Sequence, residues 1–295
     1  MTKFPRLFTA MVTPFNEDLS IDFDAAQKLA LSLIESGSPG LVVCGTTGES
    51  PTLSVQEKFD LFKAIKEAVG NKGILIAGTG TNSTADCIKL TEGACKVGVD
   101  GHLIVVPYYN KPSQEGLYQH YKAVALATDL PIMMYNIPSR TGINMLPETV
   151  ARLAEIPNIV GLKESCGVFD QISTLKLILP EEFLIYSGDD SLTLPMLSLG
   201  CYGVVSVASH IVAKQIKQMI DAYVAGNVEE SWKIHLQLFN LFRAMFVTVN
   251  PTPVKKALSL MNVINSSKVR LPLVEASEAE TKVILEALLS SKLLA

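Results

Sequence analysis

The stretch Gly40-Leu-Val-Val-Cys-Gly45-Thr-Thr-Gly-Glu-Ser50-Pro-Thr-Leu-Ser54-Val-Gln-Glu57 decides the fold. Leu41–Cys44 is an unbroken apolar run of strand length. It lacks the alternation of a half-buried strand, so it reads as a strand covered on both faces. Ser54 with Glu57 three residues on is a capping box. Phe59, Phe62, Ile65 and Val69 follow on one helical face. The stretch is therefore one strand–turn–helix unit.

Outward from it the same unit recurs. Strands are expected at Leu7–Thr13, Leu41–Cys44, Ile74–Ala77, His102–Val106, Ile132–Tyr135, Ile159–Leu162, Leu184–Tyr186 and Val204–Val207. Amphipathic segments lie between them. Asp24–Ser36 puts Leu29, Ala30, Leu33 and Ile34 on one face, with Gly37 at its C-terminal cap. Asn82/Ser83, Ser113 and Asp190 stand where further N-caps belong. Eight strands each followed by a helix specify an α/β fold, a TIM-type (β/α)8 barrel. A doubly wound sheet shares the alternation and is the other arrangement it allows. The eighth barrel helix should end near Ala225-Gly226. Beyond it, Val228–Val249, Thr252–Met261 and Ser277–Leu289 read as three helices, broken at Pro251 and Pro272. The expected organisation is a catalytic barrel over residues 1–225 and a C-terminal helical extension over 226–295.

Composition narrows the function. The 295 residues are 48% hydrophobic and 18% charged. That charge fraction is below the usual ~25%, which excludes a disordered chain. No apolar run approaches the ~20 residues of a membrane-spanning helix. The net charge is −4 and no basic cluster marks a nucleic-acid surface. Lys3 and Arg6 precede an apolar run broken at Pro14, too short for a signal peptide. The cysteines (Cys44, Cys87, Cys95, Cys166, Cys201) are widely spaced with no Cys-x-x-Cys pair, against zinc or disulfides and for a reduced, cytoplasmic protein.

In a barrel the chemistry sits at the C-terminal ends of the strands, and polar residues gather there. Lys163 follows Ile159-Val-Gly-Leu162. A free lysine has a pKa of about 10.4, and burial favours the neutral amine, which attacks carbonyls to form Schiff bases. A lysine in that place can equally snorkel to solvent. Gly45-Thr46-Thr47-Gly48 offers backbone N–H groups and two hydroxyls that suit a carboxylate; it could also be an ordinary turn. No Walker-type lysine follows it, and Gly78-x-Gly80 lacks a third glycine. Tyr135, Tyr108 and Tyr109 are phenols able to relay protons or to pack the rim. Arg140 could hold a carboxylate bidentately or be solvated. Asp189-Asp190 is read as helix capping rather than a metal site, the four histidines form no ligand set, and Cys44 and Cys166 are read as small buried hydrophobes. The sum favours carbonyl chemistry through an imine, with no metal and no cofactor.

These residues resemble the dihydrodipicolinate synthase / N-acetylneuraminate lyase superfamily of pyruvate-dependent class I aldolases. Gly40–Ser50 with Glu57 is similar to its first signature. Tyr135-Asn-Ile-Pro-Ser-Arg-Thr-Gly142 with Ile159-Val-Gly-Leu-Lys-Glu-Ser165 is similar to its second. Thr46-Thr47, Arg140 and Pro107-Tyr-Tyr-Asn110 resemble the dihydrodipicolinate synthase branch. The resemblance implies that Lys163 forms an imine with pyruvate, whose carboxylate Thr46 and Thr47 hold. The derived enamine then attacks L-aspartate 4-semialdehyde, in lysine (diaminopimelate) biosynthesis. Tyr135 would be the general acid/base, linked through Thr46 to a Tyr109 supplied by a neighbouring subunit of a homotetramer. Arg140 would anchor the semialdehyde carboxylate, Gly188 and Val205 would line the pocket, and transimination by the substrate amine would free Lys163. Lysine-inhibited members usually carry His/Trp, His and Glu where Val55, Lys58 and Asp86 stand here, while Asn82 and Tyr108 are kept, so weak or absent lysine feedback is expected. A neuraminate lyase or 2-keto-3-deoxy sugar-acid aldolase would share Lys163 and Tyr135 without needing Arg140. A barrel that binds a keto acid without catalysis is the reading outside enzymology.

Overall fold

Strand runs that are apolar throughout bury both faces only if the sheet is covered outside and filled inside. A computed structural model describes residues 4–294, so Lys3 lies outside the described residues. Eight parallel strands, β1 (Leu7–Ala10), β2 (Gly40–Val43), β3 (Ile74–Gly78), β4 (Gly101–Val105), β5 (Ile132–Asn136), β6 (Ile159–Glu164), β7 (Leu184–Ser187) and β8 (Gly203–Ser206), close into a barrel in sequence order. The pairing Phe8↔Val205 between β1 and β8 seals it and excludes an open doubly wound sheet. The period of two sorts each strand. Phe8, Val42, Ile76, Leu103, Met133, Tyr135, Tyr186 and Val205 form the interior cluster. Leu7, Leu41, Val43, Leu75 and Ala77 face the helices.

The outer ring is α1 (Phe23–Glu35), α2 (Val55–Val69), α3 (Thr84–Val97), α4 (Gln114–Ala125), α5 (Pro138–Thr141), α6 (Pro147–Ala154), α7 (Phe169–Ile178), α8 (Thr193–Ser198) and α9 (Ser209–Val224). The Ser54–Glu57 capping box opens α2, and Ser83 and Ser113 cap α3 and α4. Asp190 departs from its expected role. It caps no helix of its own: its buried carboxylate accepts from Ser206 Oγ and from the N–H groups of Val207 (3.0 Å) and Ala208 (2.8 Å). It ties the end of β7 to the end of β8, and burial pushes its pKa up to about 6.

Past α9 run α10 (Val228–Ala244), α11 (Thr252–Leu260) and α12 (Glu278–Ser290). The first is shorter than expected, because residues 245–251 turn back over the strand ends. Leu241, Phe242, Val254, Leu258, Ile284 and Leu288 share one apolar core with Leu29, Val212 and Ile216 of the barrel helices. The five cysteines are free; Cys44 is buried as expected, but Cys166 is only half-buried. No helix among the described residues is long and apolar enough to cross a membrane.

Candidate active site

Lys163 sits one residue before the end of β6, not after it. Its register partner on β5 is Tyr135, an interior residue, so both side chains share the inner face. Lys163 is 5% exposed, and its Nζ lies 4.2 Å from the centre of the Tyr135 ring. Among the described residues no carboxylate or hydrogen-bond acceptor pairs with this amine.

Its neighbours hold it from several sides. Gly188, just after β7, leaves the room the lysine needs: a Cβ there would stand 3.0 Å from Lys163 Cε and 1.9 Å from Ser165 Oγ. Behind Lys163, Glu164 is buried and accepts from both sides, from Asn136 Nδ2 (3.0 and 3.1 Å), Gln171 Nε2 (3.2 Å) and the Cys166 N–H (2.7 Å). These bonds lock β5 to β6 where Tyr135 and Lys163 emerge. Burial raises the Glu164 pKa, against those donors.

The loop after β2 closes on itself. Gly48 N–H donates to the Gly45 carbonyl (3.1 Å) and Glu49 N–H to the Thr46 carbonyl (3.0 Å), while Thr13 Oγ1 donates to the Gly48 carbonyl (2.7 Å). The N–H groups of Thr46 and Thr47 take no acceptor among the described residues, and the Thr46 hydroxyl is likewise unbonded. Two buried residues that flank this loop, Cys44 (φ 56°) and Glu49 (φ 55°), adopt the left-handed conformation. That is costly outside glycine, by about 1–3 kcal/mol each, and concentrates at functional sites.

Thr46, Thr47, Tyr135, Arg140, Lys163 and Gly188 line one cavity of about 260 Å³ at the C-terminal mouth of the barrel. Arg140, on α5, donates to the Asn250 carbonyl at 3.4 Å, and Asn250 Nδ2 donates to Thr47 Oγ1 at 2.9 Å. A neighbouring cavity of about 240 Å³ shares Thr46, Tyr135 and Arg140 and adds Lys58 and Tyr108. Lys58 is buried, with its pKa lowered by desolvation.

Two expected residues stand outside the cavity lining of this single copy. Val205 belongs to the barrel interior, and the cavity wall carries Val207 instead. Tyr109 is 88% exposed with φ 75°, and no hydrogen bond within the described residues joins it, Thr46 and Tyr135. Asn250, Glu49, Lys255 and Arg270, which also shape the site, carry no chemical motif. Only Glu49 fell inside a stretch read as functional.

A family model described as the dihydrodipicolinate synthetase family matches residues 3–292. The chain belongs to the dihydrodipicolinate synthase family. It is 57% identical, across 95% of both chains, to the 4-hydroxy-tetrahydrodipicolinate synthase of Desulforamulus reducens. Its fold matches the lysine-bound dihydrodipicolinate synthase of Cyanidioschyzon merolae with a TM-score of 0.97, at 47% identity over 99% of both chains. A structure described as the first monomeric dihydrodipicolinate synthase variant matches at 0.96, with 44% identity over 99% of this chain and 98% of that one. Membership makes the chain an enzyme of the Schiff-base-forming class I aldolase type.

Proposed function

We propose that the chain condenses pyruvate with L-aspartate 4-semialdehyde, the 4-hydroxy-tetrahydrodipicolinate synthase reaction of lysine biosynthesis. One observation carries the reading: a buried Lys163 amine, unpaired among the described residues, shares an inner face with Tyr135 and a cavity with Thr46 and Thr47, whose N–H groups are unbonded among those residues. Lys163 Nζ attacks the pyruvate carbonyl carbon, and water leaves as the imine forms. The Thr46–Thr47 loop holds the pyruvate carboxylate with backbone N–H groups and hydroxyls. Loss of a methyl proton gives an enamine, whose carbon bonds to the aldehyde of the semialdehyde. Tyr135 delivers and removes the protons of these steps. Arg140 holds the semialdehyde carboxylate, its fork open to the cavity apart from the long contact to Asn250. Attack by the substrate's own amine on the imine carbon closes the ring and releases Lys163.

Tyr109 has a role in this scheme only if it projects from one copy toward another, as its exposure allows. From the family resemblance we read the working assembly as a cytoplasmic homotetramer, in which Tyr109 completes the Tyr135–Thr46 relay of a neighbour. Residues 1–225 carry the reacting groups, and the helices of 226–295 pack against them. Lysine inhibition is weak or absent, because Val55, Lys58 and Asp86 replace the His/Trp, His and Glu that lysine-inhibited members usually carry, with Lys58 in the wall of the neighbouring cavity. A coupled assay compares pyruvate plus aspartate semialdehyde with cleavage of sugar acids. Turnover of the first pair alone supports the reading; preferential sugar-acid cleavage overturns it.

A further inference from the structure

We propose that Lys255 and Arg270, in the helical tail, are positioning residues for pyruvate: through Glu49 and Glu57 they hold the Thr46–Thr47 loop in its carboxylate-binding shape. The inference rests on the reading of that loop as the pyruvate cradle.

The contacts bracket the loop on its C-terminal side. Lys255 Nζ donates to Glu49 Oε1 at 2.5 Å, and the Arg270 backbone N–H donates to Glu49 Oε2 at 2.9 Å. Eight residues on, the Arg270 guanidinium grips both oxygens of Glu57, at 2.6 and 3.1 Å, and also donates to the carbonyls of Thr52 (2.9 Å) and Leu19. Both cations lie over the Phe15 ring, Lys255 Nζ at 3.9 Å and the Arg270 guanidinium carbon at 4.6 Å. Asn250, from the same tail, donates to Thr47 Oγ1.

Stability alone explains this arrangement poorly. Among the described residues Lys255–Glu49 is the one ion pair with both side chains wholly buried. Desolvating two charges offsets most of their attraction, and apolar residues of equal volume commonly do as well. Glu49 is also left-handed, a strained conformation that survives only where neighbours over-determine it. Both costs fall on the residue whose N–H closes the turn onto the Thr46 carbonyl. A fixed carboxylate there fixes the turn, and the turn aims the Thr46 and Thr47 N–H groups. Pre-aimed donors give up no ordering energy when pyruvate binds.

The test pairs Glu49→Gln/Lys255→Met, which removes both charges and orphans neither, with Arg270→Lys, which keeps a cation at a partly exposed position. The readouts are pyruvate KM, semialdehyde KM, kcat, melting temperature and borohydride trapping of pyruvate on Lys163. The double variant is expected to raise pyruvate KM about tenfold or more, ~1.4 kcal/mol of binding, with kcat and semialdehyde KM nearly unchanged. Arg270→Lys is expected to raise pyruvate KM by about threefold, and it decides the matter if the double variant does not fold. A lower melting temperature with unchanged pyruvate KM reduces the tail to a structural brace and overturns the proposal. Failure of the wild-type enzyme to trap pyruvate on Lys163 overturns instead the reading of the site on which it rests.

Discussion

Gly188→Ala isolates the packing that aims Lys163. The added Cβ would lie 3.0 Å from Lys163 Cε and 1.9 Å from Ser165 Oγ. Ordinary carbon–carbon contact is about 3.5–4.0 Å, so the lysine stem must retreat by about 0.5–1 Å. The serine hydroxyl has no hydrogen bond to lose and can rotate away. The lysine cannot retreat freely, since it is buried against Tyr135. Overpacking of this kind costs about 1–3 kcal/mol, which lowers the melting temperature by a few degrees in a chain of this size. A misplacement of ~1 Å at a reacting group can cost on the order of 10²-fold. The expected result is a 10- to 100-fold slower rate of borohydride-trapped imine formation, with pyruvate still bound. Ser165→Ala in the same background should recover little stability and no rate, because the contacts at 3.0 Å to Lys163 Cε and 3.2 Å to the Ser165 Cβ both remain. If Gly188→Ala forms the imine at the wild-type rate, the argument that this glycine sets the lysine's aim is wrong.

Other outcomes follow from the same geometry. Tyr135→Phe should leave the fold intact and slow imine formation by on the order of 10²-fold or more, read by single-turnover trapping; an unchanged rate removes the tyrosine from proton transfer. Arg140→Ala should raise semialdehyde KM by about 10- to 100-fold, the ~1.5–3 kcal/mol of a charge-assisted hydrogen bond, while pyruvate trapping proceeds normally. The Arg270 guanidinium beside Glu57 holds its carboxyl down at about 2. A depressed carboxylate contributes stability that is complete above its unfolded pKa and lost as pH falls toward 2. With the Glu57 side chain 30% exposed, solvent screening cuts this to about 1 kcal/mol. Glu57→Gln should therefore flatten the loss of stability between about pH 4.5 and 2, seen in melts across that range; an identical acid limb would count against the pairing. Sub-millimolar lysine should leave activity nearly intact, and half-inhibition there would contradict the role given to Lys58.

The barrel was legible because its signals are local. An apolar run, a glycine turn and a capping serine each act within a few residues, and all eight strands fall within a few residues of their expected places. Strand ends were harder. Lys163 reads as following its strand because a charged residue breaks an apolar run, yet the β5–β6 ladder continues through Glu164. Asp190 reads as a helix cap because aspartate is a preferred N-cap residue where a helix is due to start. The buried donors of the β8 turn claim it instead, from 17 and 18 residues away. The clamp on the glycine loop was not legible at all. Lys255 meets Glu49 across 206 positions of sequence, and no periodicity carries that information. The chemistry of Lys163 and Tyr135 was visible as residue types at strand ends, whereas their shared inward face needed the register.

The central claim is that Lys163 is the imine-forming amine. Borohydride reduction in the presence of pyruvate, followed by peptide mass analysis, tests it most directly. The account predicts a single reduced pyruvyl adduct, on Lys163. The other buried lysines, Lys58 and Lys255, should stay unmodified. An adduct on either of them, or inactivation without any adduct on Lys163, would contradict it.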